Sequence, residues 1–392
     1  MRIAIKATQI APGGGLTHLN KIIKWFGKLA PEIEFVLLGQ RGQEDLFVPA
    51  PQSFEYRFYK LPSLHLAAQI GWERQILPGI LRDLRANLLF EPGNRGTLNS
   101  PCPKVTLLHN IAPFDNEYTN HETPYQKLRN SLLRRATIQS MNKSQGIIFL
   151  TEFCREYFSG YIDLSNIKSS VIYHGKPEED SSVDTSIFKR LGIAGQYILS
   201  VSDIWRYKKT KEMIQSYLLA RQRQGDLPPL IIAGKNHTAE YMNEIMDIIE
   251  TAKSERNIIF TGFLGQAELG ALYANCRAFL FPSVLETFSI ILVESMAWGC
   301  AVAASNRSVV AEVTGMAALY FNPDDLEDFA SKIITIATDE RLNLAMREKA
   351  AKRARFFSWE KTARETLSFL YEVASVSEFG PSKMPELAKV EY

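Results

Sequence analysis

Two carboxylates eight positions apart, Glu286 and Glu294, sit in the stretch 281–299, FPSVLETFSIILVESMAWG. An apolar run ends at Pro282, a polar loop carries Glu286, and an apolar helix is predicted to begin near Ser289. That helix stops at Gly299, a residue type suited to the position just past a helix end. The backbone amides of Thr287, Phe288, Ser289 and Ile290 then open the helix and form an anion site. Glu294, in the early turns, is placed to reach ribose hydroxyls, and Glu286, ahead of the helix, to reach a sugar. An acid near a helix N-terminus is also favourable without any ligand, by ~0.3–1 kcal/mol.

Three further places carry groups of the same kind. Residues 200–209, SVSDIWRYKK, follow an apolar run and bring Arg206, Lys208 and Lys209 to one edge. Cations there could neutralise a diphosphate leaving group, although a solvated loop explains the same residues. His109 follows the run Val105–Leu108, where it could donate or accept a hydrogen bond. His18, His65, His121, His174 and His237 have weaker claims. Gly13, Gly14 and Gly15 precede an amphipathic helix through Ile22, Ile23 and Phe26, which suits phosphate or a close-lying sugar. The spacing is not G-x-G-x-x-G, and a flexible turn needs the same glycines.

These residues need a scaffold that delivers them at strand ends. Short apolar runs recur at Ile3–Ala7, Phe35–Leu38, Leu88–Phe90, Val105–Leu108, Ile147–Leu150 and Val171–Tyr173, with helical segments between them. That alternation predicts a doubly wound parallel sheet. Lys176–Ser186, with Pro177 and the acidic run Glu178–Asp180, is expected as a linker. A second series follows at Tyr197–Val201, Leu230–Ala233, Ile258–Phe260, Phe279–Phe281 and Ala301–Ala304, with helices expected over Lys211–Ala220 and Tyr241–Lys253. The expected division is 1–180 and 187–357. A last helix, Ser358–Ala374, is expected to return to the first domain, and 375–392 to form an irregular tail.

At 392 residues the chain exceeds the roughly 250–300 at which single cores stop growing, so two domains are expected. Lys plus Arg number 45 against 43 Asp plus Glu, which gives no electrostatic case for nucleic acid as a partner. Cys102, Cys154, Cys276 and Cys300 form no C-x-x-C pair, and the histidines lack zinc spacing, so no metal and a reduced, cytoplasmic setting are expected. The N-terminus reaches Lys6 before an apolar core of a signal peptide could form, and no segment approaches the ~18 apolar residues of a spanning helix.

The stretch around Glu286 and Glu294 resembles the E-x7-E element of glycosyltransferase family 4, within P-S-x-x-E-x-F-x-x-x-x-x-E-x-M-A-x-G. The likeness extends through Gly13–Gly15, Val105–Asn110, Val171–Gly175 and Ile198–Lys208 to Trp359. It implies a GT-B fold, an α/β pair of facing Rossmann-like domains with an interdomain cleft, and sugar transfer with retention of configuration. By the resemblance Lys208 binds the donor diphosphate, His109 lies near the transferred sugar, Glu286 contacts its hydroxyls and Glu294 the ribose. Gly262, Phe263 and Leu264 match the turn whose backbone holds the base. No cofactor is implied beyond the nucleotide-diphosphate sugar, GDP-mannose-like among the candidates. A glycan or lipid-linked acceptor, as in bacterial surface polysaccharide or lipopolysaccharide synthesis, completes the expected partners.

The chain departs from the pattern in three places. Ser202-Asp203 stands where many members have Gly-Arg, leaving Arg206 as the nearby arginine. Asn110 stands where Asp often follows the histidine, and Thr287 and Ser289 replace two glycines. An epimerase or phosphorylase of similar fold, or a silent nucleotide-sugar-binding subunit, are the alternatives. The segment Gln126–Lys143 carries Lys127, Arg129, Arg134, Arg135 and Lys143 with no acid among them. Contact with the inner membrane face would use this basic helix; a helix packed on its own sheet with a solvated basic face is preferred.

Overall fold

A computed structural model of the chain describes residues 1–61, 66–115, 123–178, 183–254, 256–375 and 387–388. His65, His121, 179–182 of the expected linker and most of the tail beyond 375 lie outside these residues. The chain forms two compact units: Met1–His174 together with the chain from Ser358 on, and Gly175–Phe357. The division thus falls just ahead of the stretch expected as a linker.

The first unit is built on strands β1 (Arg2–Lys6), β2 (Glu34–Gln40), β3 (Phe54–Tyr59), β4 (Leu88–Glu91), β5 (Lys104–Leu107), β6 (Gly146–Phe149) and β7 (Lys168–Val171). They pair in parallel in the order β3-β2-β1-β4-β5-β6-β7. Every residue of β4, β5 and β6 is buried, because helices cover both faces of a parallel sheet. On one face Ala4, Val36, Leu38 and Leu89 pack with Leu77, Leu81 and Leu84.

The second unit repeats the plan with β8 (Ile198–Val201), β9 (Leu230–Ala233), β10 (Ile258–Gly262), β11 (Ala278–Phe281), β12 (Val302–Ser305) and β13 (Ala318–Phe321), in the order β10-β9-β8-β11-β12-β13. Ile198, Leu230, Ile232, Leu280 and Ala303 face a layer that includes Tyr217, Ile245, Phe329 and Ile333. The strand order reverses between β1 and β4 in one sheet and between β8 and β11 in the other. Loops leaving the strands part at such points, and ligands of open α/β sheets bind there.

Two edge strands, β3 and β13, were not among the apolar runs. In β3, Glu55 and Arg57 alternate with Phe54, Tyr56 and Phe58, the pattern of an edge strand rather than of a continuous buried run. The strand expected at Val171–Tyr173 ends at Val171 instead. The helix Trp359–Ala374 lies on the first unit. Ser358 caps it by accepting from Lys361 N at 3.3 Å, Thr362 Oγ1 donates to Tyr173 O at 2.7 Å, and Lys168 Nζ pairs with Glu372 Oε1 at 2.6 Å. Gly146 lets β6 approach this helix: a Cβ there would lie 2.7 Å from Val373 Cγ2. Within the tail, Ala388 is tied down, its N–H to Leu29 O at 3.0 Å and its carbonyl to Arg364 at 2.7 Å. Among the described residues no helix is long and apolar enough to cross a membrane.

Candidate functional site

In the second unit β8 ends at Val201, and the chain turns through Asp203 and Trp205 into a 3-10 turn, Arg206–Lys208, before the helix Thr210–Arg223. Asp203, which stands at the position of the absent arginine, organises this edge. Its carboxylate accepts from Lys235 N at 2.9 Å and meets His237 Nε2 at 2.9 Å, while the imidazole stacks on Trp205 at 4.6 Å. The neighbouring loop can approach only because residue 234 is glycine. Its φ is 153°, and a Cβ would lie 2.0 Å from Ser202 O.

The three cations of this edge have different partners. Arg206 pairs with Glu244 and lies over the Tyr241 ring at 4.7 Å. Lys209 pairs with Asp324 at 2.8 Å and Glu212 at 3.3 Å. Lys208 alone meets a residue singled out from the sequence: its Nζ lies 2.5 Å from Glu286 Oε1, 78 residues along the chain, and 5.3 Å from the centre of the Tyr207 ring. The loops that carry them are joined by Val284 N donating to Tyr207 O at 3.0 Å. Ser308 fixes the backbone of Glu286 from a third loop, accepting from its N at 3.3 Å and donating to its O at 3.0 Å.

The helix after Glu286 runs Ile290–Ala297, and the side chain of Ser289 at its entry makes no capping hydrogen bond. Ser289 at its entry adopts φ 74°, the left-handed conformation that glycine takes without steric cost. The Phe288 ring is buried edge-on against Phe357 at 5.7 Å, so this residue offers a ligand only backbone. Glu294 is 9% exposed, with Tyr273 Oη 3.5 Å from its Oε2. Beside it burial and the Glu294 charge hold the Tyr273 phenol far above its ordinary range. At the end of β10, Gly262 has φ 71°, Leu264 is buried, and the exposed Phe263 ring lies 4.6 Å from Lys235 Nζ.

In the first unit His109 follows β5. Its backbone N–H and that of Asn110 both donate to Asn94 Oδ1 at 2.8 Å. The imidazole belongs to a cluster that sequence reasoning missed, with His18 at 5.1 Å, His174 at 5.6 Å and Trp359 behind both. Burial pushes the His109 pKa down to about 4, and burial with the neighbouring imidazoles lowers His18 and His174 as well. These rings are neutral at pH 7. His109 lines a cavity of about 240 Å³ with Gln9, Gly15, Asn94, Arg95 and Asn110. Gly13, at φ 136°, precedes the helix Gly14–Leu29 that presents His18.

The basic helix runs Pro124–Met141 and packs on its own unit through Asn130, Thr137, Ser140 and Met141. Arg134 is spent on the rings of Phe114 and Tyr161, at 5.7 and 4.9 Å. Among the described residues no group of histidine, cysteine or carboxylate side chains could hold a metal ion.

Residues 184–353, nearly all of the second unit, match the family described as group 1 glycosyl transferases. The chain is 26% identical over 272 residues to the serotype-specific mannosyltransferase WbdA of Escherichia coli, covering 68% of this chain and 33% of that protein. It is 24% identical over 274 residues to the O-antigen chain mannosyltransferase B of Escherichia coli, covering 67% of this chain and 69% of that protein. The chain spans about a third of the length of the first relatives it matches. Sucrose-phosphate synthase from Thermosynechococcus elongatus superposes with a TM-score of 0.77 at 13% identity, over 96% of this chain and 100% of that one. The segment 184–353 is thus similar to the group 1 glycosyl transferases, and the two Rossmann-like units have the GT-B fold.

Proposed function

We propose that the chain is a retaining glycosyltransferase that moves a hexose, mannose first among the candidates, from a nucleotide-diphosphate sugar to a glycan or lipid-linked glycan in bacterial surface polysaccharide synthesis. The family match and the mannosyltransferase relatives support the reaction class. The observation that carries the donor reading is the Lys208–Glu286 pair at the β8/β11 switch point, beside the helix Ile290–Ala297. In the resting protein the two charges neutralise each other. An arriving diphosphate competes for the Lys208 ammonium and frees the Glu286 carboxylate to accept from sugar hydroxyls. As the anomeric carbon becomes oxocarbenium-like, charge grows on the departing diphosphate, and the ammonium and helix amides act where that charge develops. Retention then follows from front-face attack by an acceptor hydroxyl, with no protein nucleophile.

Arg206, like Lys208, is paired with a carboxylate, and a diphosphate would have to displace Glu244 from it. An epimerase or a silent binding subunit would share the donor site but would not release nucleotide diphosphate in response to an acceptor. The direct test is binding. Lys208→Ala should weaken nucleotide-diphosphate affinity by roughly tenfold or more, as loss of a charge-assisted hydrogen bond does, and leave nucleoside affinity near the wild-type value. Equal losses for both ligands would contradict the placement of the diphosphate.

A further inference from the structure

Just before His109 the chain leaves the sheet of the first unit. Strand β5 ends at Leu107, and Leu108 N still donates to Ile148 O at 3.2 Å. The next two N–H groups, of His109 and Asn110, turn instead to one side-chain oxygen, Asn94 Oδ1, each at 2.8 Å. Asn94 Nδ2 donates to Asn110 O, and Asn110 Oδ1 accepts from Ala112 N at 2.9 Å. Donor and acceptor groups of the 109–110 backbone are thus held by a single amide.

Such a grip positions its target only if the gripping residue is itself fixed. Asn94 stands in the loop 92–97 after β4, and that loop is tied on both sides of it. Gly93 N donates to Glu91 O at 2.8 Å, and Arg95 O accepts from Lys6 Nζ at 2.9 Å. The Arg95 guanidinium meets both oxygens of Glu73 at 3.1 Å. The buried Glu91 carboxylate accepts from Thr97 N at 2.8 and 2.9 Å and from Thr97 Oγ1 at 2.8 Å, and Lys6 Nζ at 3.0 Å balances its charge. Gly96 has to be glycine, since a Cβ there would lie 2.3 Å from Glu91 Oε2. A buried ion pair with its oxygens satisfied holds one geometry, because moving either charge leaves the other unpaired.

Asn94 and His109 both line the cavity of about 240 Å³. The two bonds that Asn94 Oδ1 accepts fill its lone pairs, which leaves that oxygen nothing for a ligand. We infer that Asn94 is a positioning residue for His109: it fixes the loop that carries the imidazole at the cavity wall, and sugar transfer depends on it through that histidine. The inference rests on the reading that sets His109 at the transferred sugar. The effect is large enough to measure, since a misplacement of about 1 Å among reacting groups costs on the order of 10²-fold in rate.

The test combines kinetics, with GDP-mannose as first donor and methyl α-D-mannopyranoside as acceptor, with NMR of the histidine rings in the full chain. Asn94→Leu keeps the volume and removes the acceptor oxygen. It should lower kcat by about 10–100-fold and leave the donor KM and the nucleotide-diphosphate dissociation constant within about twofold of wild type. Asn94→Asp, which keeps an oxygen for the two N–H groups, should recover most of that loss. In the His109→Ala background Asn94→Leu should cost nothing further, because a residue that acts through another has no effect once the other is gone. The Cε1–H resonance of His109, assigned by its loss in His109→Ala, should not titrate between about pH 8 and 5.5 in the wild type, since burial holds its pKa down to about 4. In Asn94→Leu it should titrate nearer the ordinary 6.5, as the ring leaves its seat beside His18 and His174. Additive losses in the double variant would overturn the inference, as would an unmoved resonance, or wild-type kcat in Asn94→Leu or in His109→Ala. Should Asn94→Leu lose its cooperative melt, Asn94→Ala takes its place in every comparison. A wild-type chain without transfer sinks the transferase reading, and the resonance still decides whether Asn94 seats His109. Wild-type transfer with an unmoved resonance in Asn94→Leu sinks the present inference alone.

Discussion

Lys208 and Glu286 are each only slightly exposed, and each is the other's partner, so substitutions at the two positions should act in opposite directions on nucleotide binding. Glu286→Gln removes a competitor for the ammonium. It should leave nucleotide-diphosphate affinity unchanged or tighter while lowering turnover by roughly 10²–10³, the scale for losing a hydrogen bond made in the transition state. On the reading in which the Glu294 carboxylate holds the ribose in the ground state, Glu294→Gln should raise the dissociation constant for free nucleotide diphosphate. His109→Ala should lower turnover and leave that constant nearly as it was. Steady-state kinetics with nucleotide titrations on the three variants would check this. If turnover survived in His109→Ala, that residue would be one more packed ring of the imidazole cluster. The placement of Glu286, Glu294 and Lys208 on a loop, a helix and a strand-end turn was legible in the chain because loop and helix signals surround them. Their joining was not, because it depends on Ser308 and on a backbone bond from Val284 to Tyr207, neither of which carries a local signal. The same holds for Asp203, which looks like a lost arginine in sequence and in the fold is the anchor of the 235–237 loop.

At the scale of elements, most strands were legible because a doubly wound sheet buries its central strands on both faces, and such strands read as short continuous apolar runs. β3 was not, since Glu55 and Arg57 on its exposed side interrupt the run; β13 is a continuous apolar run, ALYF, of the same kind as the strands that were read. The helix Trp359–Ala374 was legible from its serine cap and its spacing of apolar residues. What fixes it against the sheet is a close approach that only the fold reveals: Gly146 faces Val373 and Phe369, with a hypothetical Cβ at 2.7 and 3.0 Å. Gly146→Ala should therefore destabilise the first unit by about 1–3 kcal/mol, as overpacking does, although alanine suits a strand no worse than glycine. Denaturant unfolding followed through Trp359, which is buried in that helix, would measure it. An unchanged midpoint would mean that the helix yields freely and is not docked as closely as the distances indicate.

For the molecule as a whole, the buried imidazoles of His18, His109 and His174 set a pH dependence. Their pKa values in the folded state lie below the ordinary 6.5, so between about 6.5 and 4 the unfolded chain binds more protons than the folded one. Stability should fall as pH drops through 6.5. The Glu244 carboxylate, held down to about 2 by its hydrogen bond and pairing with Arg206, adds a loss only below about 4.5. Tm measured from pH 8 to 4.5 should fall over the histidine window, and a flat profile there would show that the rings are not buried neutral. The central claim, that the chain transfers a sugar with retention, is met most directly by incubating it with GDP-mannose and other nucleotide-diphosphate sugars, with and without a mannoside acceptor, and resolving the product's anomeric configuration by NMR. The account predicts release of nucleotide diphosphate that rises when acceptor is added and a new glycosidic bond of the same anomeric configuration as the donor. An inverted anomer, or a donor epimerised with no acceptor-dependent release, would contradict it.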